Sequence, residues 1–164
     1  MFSDLGALSP LDGRYYSSAK ELNAYFSEAA LMQYRIYVEV EYLLALAKQK
    51  EIGKRLLIDD KEQSKLRKLY QSFDLNAAKE IKEIEKKINH DVKAIEYYIQ
   101  DKTRSSLHPW IHFALTSEDV NNISYSLMWK HALEKVYLPS ASSLQRKLLD
   151  LVREHRKSPM LSLT

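Results

Sequence analysis

The segment that decides the fold reads KEIKEIEKKI over residues 79–88. Its isoleucines recur in steps of three and four residues, which is the spacing of one face of an α-helix. The same apolar stripe continues on both sides of the segment, through Ala77, Ile81, Ile84, Ile88, Val92, Ile95 and Ile99. The lysines and glutamates between these positions are typical of a solvated helix face. We therefore predict helical structure whose stripe packs against a core, with a coiled-coil seam as the alternative.

Helical periodicity continues on the N-terminal side of this segment. Ser17 or Ser18 can cap a short helix over residues 19–26, and a long helix is predicted from about 27 to 50. Gly53 is the expected stop for the long helix, because glycine tolerates the left-handed conformation that often ends a helix.

The remaining segments are helical as well. A helix is predicted to open at Asp59–Asp60, with one apolar face made of Leu66, Leu69, Tyr70 and Phe73. Pro109 interrupts the pattern because proline lacks the amide hydrogen. A helix follows over about residues 116–137, and Pro139 suits the first turn of a last helix. The inward positions predicted for residues 116–137 are Val120, Ile123, Leu127 and Met128. No segment alternates with period two for the length of a strand, so the predicted fold class is all-α.

The composition is that of an ordinary globular protein, since 45% of the 164 residues are hydrophobic and 29% are charged. No cysteine is present, which excludes disulfides and thiolate metal sites. The formal net charge is only +3, from 25 Lys and Arg against 22 Asp and Glu. Because these basic residues are dispersed along the chain, a nucleic-acid-binding function is disfavoured.

Membrane insertion and secretion are disfavoured too. Residues 1–4, which read MFSD, lack the basic and apolar regions of a signal peptide. The most apolar stretch, residues 29–47, carries Arg35, Glu39 and Glu41 near its centre, where charges oppose a membrane span. We interpret this stretch as a helix buried on most sides inside a large assembly, and we expect a cytoplasmic protein.

Four short segments carry polar chemistry, and the first is SPLDGRYY at residues 9–16. Its proline and glycine predict a loop or turn. Arg14 offers a planar fork of donors suited to phosphate or carboxylate, and Tyr15 offers a hydroxyl and a stacking face. Chemistry alone favours the plainer interpretation, in which this arm packs on the domain through its aromatic rings.

The second segment is NHDV at residues 89–92. Consecutive helical residues point about 100° apart, so Asn89, His90 and Asp91 cannot all face one ligand on a straight helix. A break with Asp91 capping a new helix would let them converge, but Asp91 as a mere cap beside an exposed His90 explains the segment equally well. No second His or carboxylate follows at a ligating spacing, so we expect no metal.

The third segment is HFALTSEDVNN at residues 112–122. Thr116 and Asp119 match the capping-box pattern, which is a sufficient structural explanation. A helix start also presents unpaired amide hydrogens, and the hydroxyls of Thr116 and Ser117 beside them would suit a carboxylate or phosphate. Both roles are compatible if one side chain caps while the other reaches a ligand. The fourth segment, SPMLSLT at residues 158–164, predicts a helix end, and its apolar run suggests that the chain has been cut.

Together these segments resemble the adenylosuccinate lyase family, of the bacterial type. LSPLDGRY at residues 8–15 and HFALTSEDVNN at residues 112–122 are long matches in the family's order, and NHDV at residues 89–92 is a shorter one. Residues 160–164 match the family where its acid histidine, in a Thr-His-Gly-Gln motif, comes next. The wider superfamily includes fumarase, aspartase and argininosuccinate lyase, which share the Thr-Ser feature.

The resemblance implies an all-α subunit with a helical N-terminal domain over residues 1–110 and the beginning of the central long-helix bundle over residues 111–164. It implies homotetramers with active sites shared between subunits, and no metal, organic cofactor, nucleic acid or membrane partner. The implied reaction is cleavage of adenylosuccinate to AMP and fumarate, with a parallel cleavage of succinylaminoimidazole carboxamide ribotide in purine synthesis.

The resemblance also assigns substrate-binding roles to residues of two segments. Arg14 and Tyr15 match positions that hold the nucleotide, mainly its phosphate end. Asn89, His90 and Asp91 match positions that line the site near the substrate.

The third segment matches the part of the family that handles the succinyl group. Thr116 and Ser117 would hold a succinyl carboxylate, and His112 matches a position near the site. The reaction is a β-elimination, in which a base removes a carbon-bound proton and an acid protonates the departing purine nitrogen. The resemblance places that acid, a histidine, and that base, a serine on a mobile loop, beyond Thr164, so we expect no principal catalytic residue within this chain.

A non-catalytic helical interaction module is the alternative from another functional class, because every segment also has a structural explanation. The joint occurrence of the four segments in one order favours the lyase. We further expect apolar faces on the helices near residues 27–50 and 139–156 to remain uncovered.

Overall fold

The protein is described here by a computed structural model over residues 8–159 and 161. These residues form helices and turns and contain no strand, which confirms the all-α prediction. The helices are α1 (Tyr16–Ala19), α2 (Asn23–Phe26), α3 (Glu28–Ala47), α4 (Asp60–Gln71), α5 (Leu75–Ile88), α6 (Asp91–Asp101), α7 (Ser117–Ala132) and α8 (Leu138–His155). Two 3₁₀ segments and one π-helical turn complete the list, at Lys20–Leu22, Ser105–Trp110 and Leu133–Tyr137. The N-terminal MFSD segment and most of the apolar run after Pro159 lie outside the described residues.

Helix α3 is the centre of the fold. It begins at Ser27, whose hydroxyl accepts a hydrogen bond from the backbone N–H of Ala30. Its sides pack against α2, α4, α5, α6 and α7. The core residues that it buries most completely are Ile36, Val40, Leu43 and Leu44. The expectation that the apolar face near residues 27–50 stays uncovered is therefore wrong, because the chain's own helices cover it. Among the described residues no helix is long and apolar enough to cross a membrane.

The end of α3 differs from the prediction. The helix ends at Ala47, and its cap residue Lys48 keeps a right-handed backbone. Gly53 does not adopt a positive φ. A Cβ on Gly53 would overlap the carbonyl oxygens of Ala47 and Gln49, so glycine is needed here for close backbone approach rather than for a left-handed cap.

Helices α5 and α6 form an antiparallel pair that carries the isoleucine stripe. Asn89 ends α5 in the left-handed conformation (φ 52°), and the chain turns before α6. The predicted core contact of the stripe is confirmed, because its members are buried or packed against buried residues. Asp59 caps α4 through the Glu62 amide, also as predicted.

The N-terminal arm is less regular than predicted. Helix α1 begins at Tyr16 without a side-chain cap, and a 3₁₀ turn separates it from α2. Ser17 and Ser18 therefore cap nothing, which corrects the sequence-based expectation.

Helices α7 and α8 run on without an intervening loop. The π-helical turn Leu133–Tyr137 joins them, and Pro139 lies in the first turn of α8 as predicted. A wider π turn just before a proline accommodates the missing N–H and the ring, so the helix continues. The buried face of α7 follows Val120, Ser124, Met128 and Ala132. Ile123 is half exposed, so its predicted inward position is wrong, because the packed ridge advances in steps of four. No residue of α8 is buried, which confirms the uncovered face near residues 139–156.

Candidate functional site

A small apolar cluster separate from the main core brings three distant segments together. Val38 of α3, Val92 of α6 and Val120 of α7 are buried against one another, each at most 5% exposed. Val92 follows Asp91 directly, and Val120 lies one turn beyond the Thr116 helix start. The cluster therefore forms the floor on which the second and third polar segments meet.

Arg35 links these two segments through hydrogen bonds. It is 5% exposed, and its guanidinium NH2 donates to Asp91 Oδ2 at 2.7 Å. Its Nε donates to Asn121 Oδ1 at 2.9 Å. One buried side chain on α3 thus holds a residue of the NHDV segment and a residue of the HFALTSEDVNN segment at a fixed separation.

Glu39 lies one turn further along α3 and binds His112. The backbone N–H of His112 donates to Glu39 Oε2 at 3.1 Å, and its ring Nδ1 lies 2.5 Å from Oε1. Glu39 is only 2% exposed. Burial raises the pKa of Glu39, and the hydrogen bonds from His112 oppose that shift. His112 and Ala114 adopt positive φ (61° and 57°), which is uncommon for residues with a side chain.

A second buried carboxylate faces the other edge of the His112 ring. Glu96 Oε1 of α6 lies 3.8 Å from His112 Nε2, and Glu96 Oε2 accepts from Lys93 at 2.7 Å. The pKa of Lys93 is raised, chiefly by its hydrogen bond to Glu96. His112 therefore lies between two glutamates, and its ring is largely enclosed rather than open to a ligand.

The two hydroxyls at the start of α7, those of Thr116 and Ser117, make different contacts. Thr116 is the N-cap and forms the predicted capping box, in which its hydroxyl and amide both bond Asp119. These bonds lower the pKa of Asp119. The Ser117 hydroxyl has no hydrogen-bond partner among residues 8–159, and Ser117 is partly exposed. The helix start thus presents a hydroxyl beside backbone amides whose dipoles favour an anion.

The NHDV segment lines an open cleft of about 520 Å³. His90, not Asp91, is the N-cap of α6, because its Nδ1 accepts from the Lys93 amide at 3.1 Å. Asp91 is the first residue of helix α6. Burial raises the pKa of Asp91, but the hydrogen bond from the Val92 amide and the charge of Arg35 outweigh burial, so the pKa is lowered overall. Asn89 and His90 are exposed to the cleft, and two lysines, Lys82 and Lys86, share its wall.

The arginine arm stands apart from these groups. Arg14 lies over the ring of Tyr15 at 5.3 Å from its centroid, and both side chains are exposed. The neighbouring Tyr16 accepts a hydrogen bond from Asn23 at 3.0 Å. Within the described part of the chain, no hydrogen bond or ion pair joins Arg14 or Tyr15 to the other two segments. The role predicted for this arm therefore stays a prediction.

Sequence reasoning missed the residues that organise the site. Arg35, Glu39 and Glu96 are buried charges, and Asn121 carried no predicted role of its own. The spacing of Arg35 and Glu39, four residues apart in the most apolar stretch, is the feature that could have indicated them, because lone charges are rarely buried without partners. Over the described residues, no group of three His, Asp or Glu side chains is arranged to hold a metal ion.

Comparisons with known proteins match nearly the whole chain. A family described as Lyase matches residues 13–164. The chain is 42% identical over 165 residues to an adenylosuccinate lyase of Legionella pneumophila, covering 98% of this chain and 36% of that protein. It is 40% identical to adenylosuccinate lyases of Dictyostelium discoideum and Escherichia coli, covering 99% of this chain in each case. The chain therefore spans little more than a third of the length of these relatives.

Proposed function

Because this chain belongs to the lyase family, we propose that it forms part of an adenylosuccinate lyase. The reaction is the β-elimination of fumarate from adenylosuccinate, which leaves AMP, with a parallel elimination from succinylaminoimidazole carboxamide ribotide. Relatives that carry the name adenylosuccinate lyase match 98–99% of the chain, which supports this choice. A non-catalytic helical module is not favoured, because it gives no reason for this match.

The observation that carries the proposal is the helix start of α7. Thr116 is occupied by the capping box, so Ser117 and the first amides of α7 remain available to an anion. Elimination builds negative charge on the carbon beside a succinyl carboxylate. Fixed donors on that carboxylate stabilise the charge as it develops, which is how such a helix start would accelerate the reaction.

The nucleotide portion is assigned to the cleft beside the NHDV segment and to the arginine arm. Asn89 and His90 face the cleft, whose wall also carries Lys82, Glu85 and Lys86, so it offers hydrogen-bonding groups of both charges to a nucleotide. We assign the phosphate to Arg14 and the ring-stacking contact to Tyr15, with Asp91 oriented by Arg35. These roles rest on chemistry and on the family resemblance of the segments.

The acid and base of the elimination are assigned to parts of the protein outside these 164 residues. The relatives are almost three times as long as the matched region, which leaves room for both groups. The chain's own contribution is to bind and orient the substrate. No metal or organic cofactor enters this scheme, and no nucleic acid or membrane partner is proposed.

The proposed assembly rests on the family resemblance, and the uncovered face of α8 is compatible with it. Residues 1–110 are proposed as the N-terminal domain, since the main core draws its members from residues 29–111. Residues 111–164 are proposed to begin a central bundle, and the family resemblance implies homotetramers for the whole protein. The row of leucines that α8 exposes is an apolar face that such an assembly could cover. Such an enzyme would act in the cytoplasm, where purine nucleotides are made.

The test is an activity assay on the intact protein. Purified wild-type protein is mixed with adenylosuccinate, and fumarate release is followed by its ultraviolet absorbance. Turnover that falls in the Ser117→Ala variant but persists in a variant of an exposed α8 residue, Glu154→Gln, supports the proposal. Absence of turnover in folded wild-type protein contradicts the proposed lyase function and would favour the non-catalytic interaction module instead.

A further inference from the structure

Helix α3 buries two opposite charges one turn apart in its most apolar part. Arg35 is 5% exposed and Glu39 is 2% exposed, while most other charged residues of the described chain lie at the surface. Removing a charge from water costs free energy unless the group is paired and hydrogen-bonded. Both groups meet this condition through partners on other helices and loops rather than through each other.

The partners of Arg35 lie on two separate elements. Asp91 opens α6, and Asn121 lies in the second turn of α7. A planar guanidinium fixes two acceptors in direction as well as distance. Arg35 therefore sets the separation between the start of α6, which borders the open cleft, and the first turns of α7.

The partner of Glu39 is the loop that leads into α7. Glu39 uses one oxygen for the backbone N–H of His112 and the other for its ring. His112 has a left-handed backbone, which residues with a side chain adopt at a cost in free energy. A two-point contact from a buried carboxylate stabilises this conformation, and it fixes the direction in which the chain enters Thr116.

We propose that Arg35 and Glu39 are positioning residues, which hold the α7 helix start and the NHDV segment from beneath without touching the substrate. This inference rests on the proposed function, since these two segments are its substrate-binding parts. It also assigns His112 to the supporting layer, because its ring is held between Glu39 and Glu96.

The chain provides a matched control on the same helix. Glu41 of α3 forms an ion pair with Arg67 of α4 at 2.8 Å, away from the site and partly exposed. The test compares Glu39→Gln and Arg35→Gln with Glu41→Gln and Arg67→Gln in the intact protein. Glu→Gln keeps the side-chain volume, and Arg→Gln shortens the side chain by the same amount at both positions. Activity is compared per folded molecule, because Arg35 and Glu39 are buried and the control pair is partly exposed.

The expected result is a selective loss of catalysis. Glu39→Gln and Arg35→Gln lower kcat/KM by about tenfold to a hundredfold per folded molecule, because small misplacements of binding groups are costly to catalysis. The loss falls more on kcat than on KM, since the displaced donors act mainly on the developing charge. The control variants stay within about twofold of wild type, as expected for a partly exposed ion pair. Arg35→Lys restores only part of the activity, because an ammonium lacks the planar fork.

Two outcomes overturn the proposal. One is wild-type kcat/KM in folded Glu39→Gln and Arg35→Gln protein. The other is a loss that disappears once the unfolded fraction is subtracted, which would make the two residues ordinary core charges.

A second measurement separates this inference from the proposed function. Amide exchange at His112 in the intact protein should accelerate about tenfold or more in Glu39→Gln but not in Glu41→Gln, because local opening is governed by the lost contact. If wild-type protein does not cleave adenylosuccinate, the proposed function fails. If amide exchange at His112 is the same in Glu39→Gln as in wild type, the positioning role fails as well. If Glu39→Gln folds too poorly for kinetics, Arg35→Lys is the variant studied, and wild-type kcat/KM in that folded variant overturns the proposal.

Discussion

At the scale of single residues, the adjacent hydroxyls of Thr116 and Ser117 make different contacts, and we propose that one serves stability and the other binding. The Thr116 hydroxyl and amide are both engaged by Asp119, whereas the partly exposed Ser117 hydroxyl has no hydrogen-bond partner among the described residues. The capping box was predictable because all its parts lie within four residues of sequence. The contacts of Arg35 were not predictable, because its partners Asp91 and Asn121 are 56 and 86 residues away in the sequence.

The first prediction contrasts these two hydroxyls. Thr116→Ala should lower the free energy of unfolding by about 1 kcal/mol, the usual contribution of a cap. Ser117→Ala should leave stability nearly unchanged and lower kcat/KM of the intact protein by about a hundredfold, the scale for one lost donor to a developing charge. Denaturant unfolding and steady-state kinetics measure the two effects. A Ser117→Ala variant that is strongly destabilised yet turns over normally would return Ser117 to a structural role.

The second prediction concerns the arginine arm. Arg14→Ala should weaken substrate binding by about 2 kcal/mol, because a charged hydrogen bond to phosphate is lost. Since Arg14 is exposed, lies over the Tyr15 ring and forms no side-chain hydrogen bond or ion pair among the described residues, stability should not change. Lys20→Ala, on the same arm, serves as the control. Unaltered KM and kcat/KM in Arg14→Ala would remove this residue from the site.

At the scale of elements, helix α3 is held to its neighbours by different chemistry on different sides. Toward α6 and α7 it presents buried charges, and toward α4 it presents Glu41, which accepts from Arg67 and Tyr70. Burial and the hydrogen bond to Glu41 raise the pKa of Tyr70 to about 12. Sequence periodicity predicted that α3 and α4 exist, but their mutual contact depends on a loop whose path periodicity does not encode.

The third prediction is a pH dependence of the α3–α4 contact. The hydrogen bond from Arg67, against the opposing effect of burial, lowers the pKa of Glu41 in the folded state. The unfolded chain therefore binds the proton at higher pH than the folded chain does. The stability that this group contributes is complete above the unfolded pKa and is lost as the pH falls through the folded pKa.

The measurement compares wild type with Glu41→Gln. The free energy of unfolding is determined in denaturant at about pH 7 and about pH 3, on either side of the ordinary carboxyl range. Wild type should lose more stability between these values than the variant, by up to about 1 kcal/mol, since the pair is partly exposed. Equal losses in the two proteins would show that the Glu41–Arg67 pair does not contribute to acid stability.

At the scale of the whole molecule, α8 is a long helix that buries none of its residues against the rest of the described chain. Its apolar residues Leu144, Leu148, Leu151 and Val152 are exposed in the structure. The all-α class and the core stripe were predictable from spacing alone. The meeting of the second and third polar segments was not, because three valines at positions 38, 92 and 120 bring them together and no local pattern couples those positions.

The fourth prediction concerns the 164 residues produced alone. This chain should show no lyase activity, because general acid and base groups contribute factors of about a hundred to ten thousand each and both are assigned elsewhere. It should self-associate through α8, since exposed apolar faces favour partners. Sedimentation velocity measures the association, and Leu148→Lys should reduce it. Fumarate release by the isolated chain, with host enzyme excluded, would place the catalytic residues inside it.

The most direct test of the central claim is a crystal structure of the intact protein with fumarate and AMP bound. The account predicts a fumarate carboxylate oxygen within about 3 Å of the Ser117 hydroxyl, an ordinary hydrogen-bond distance. It also predicts the AMP phosphate against Arg14 and the nucleotide beside His90. Fumarate bound elsewhere, with Ser117 open to solvent, would contradict the claim that the α7 helix start holds the succinyl group.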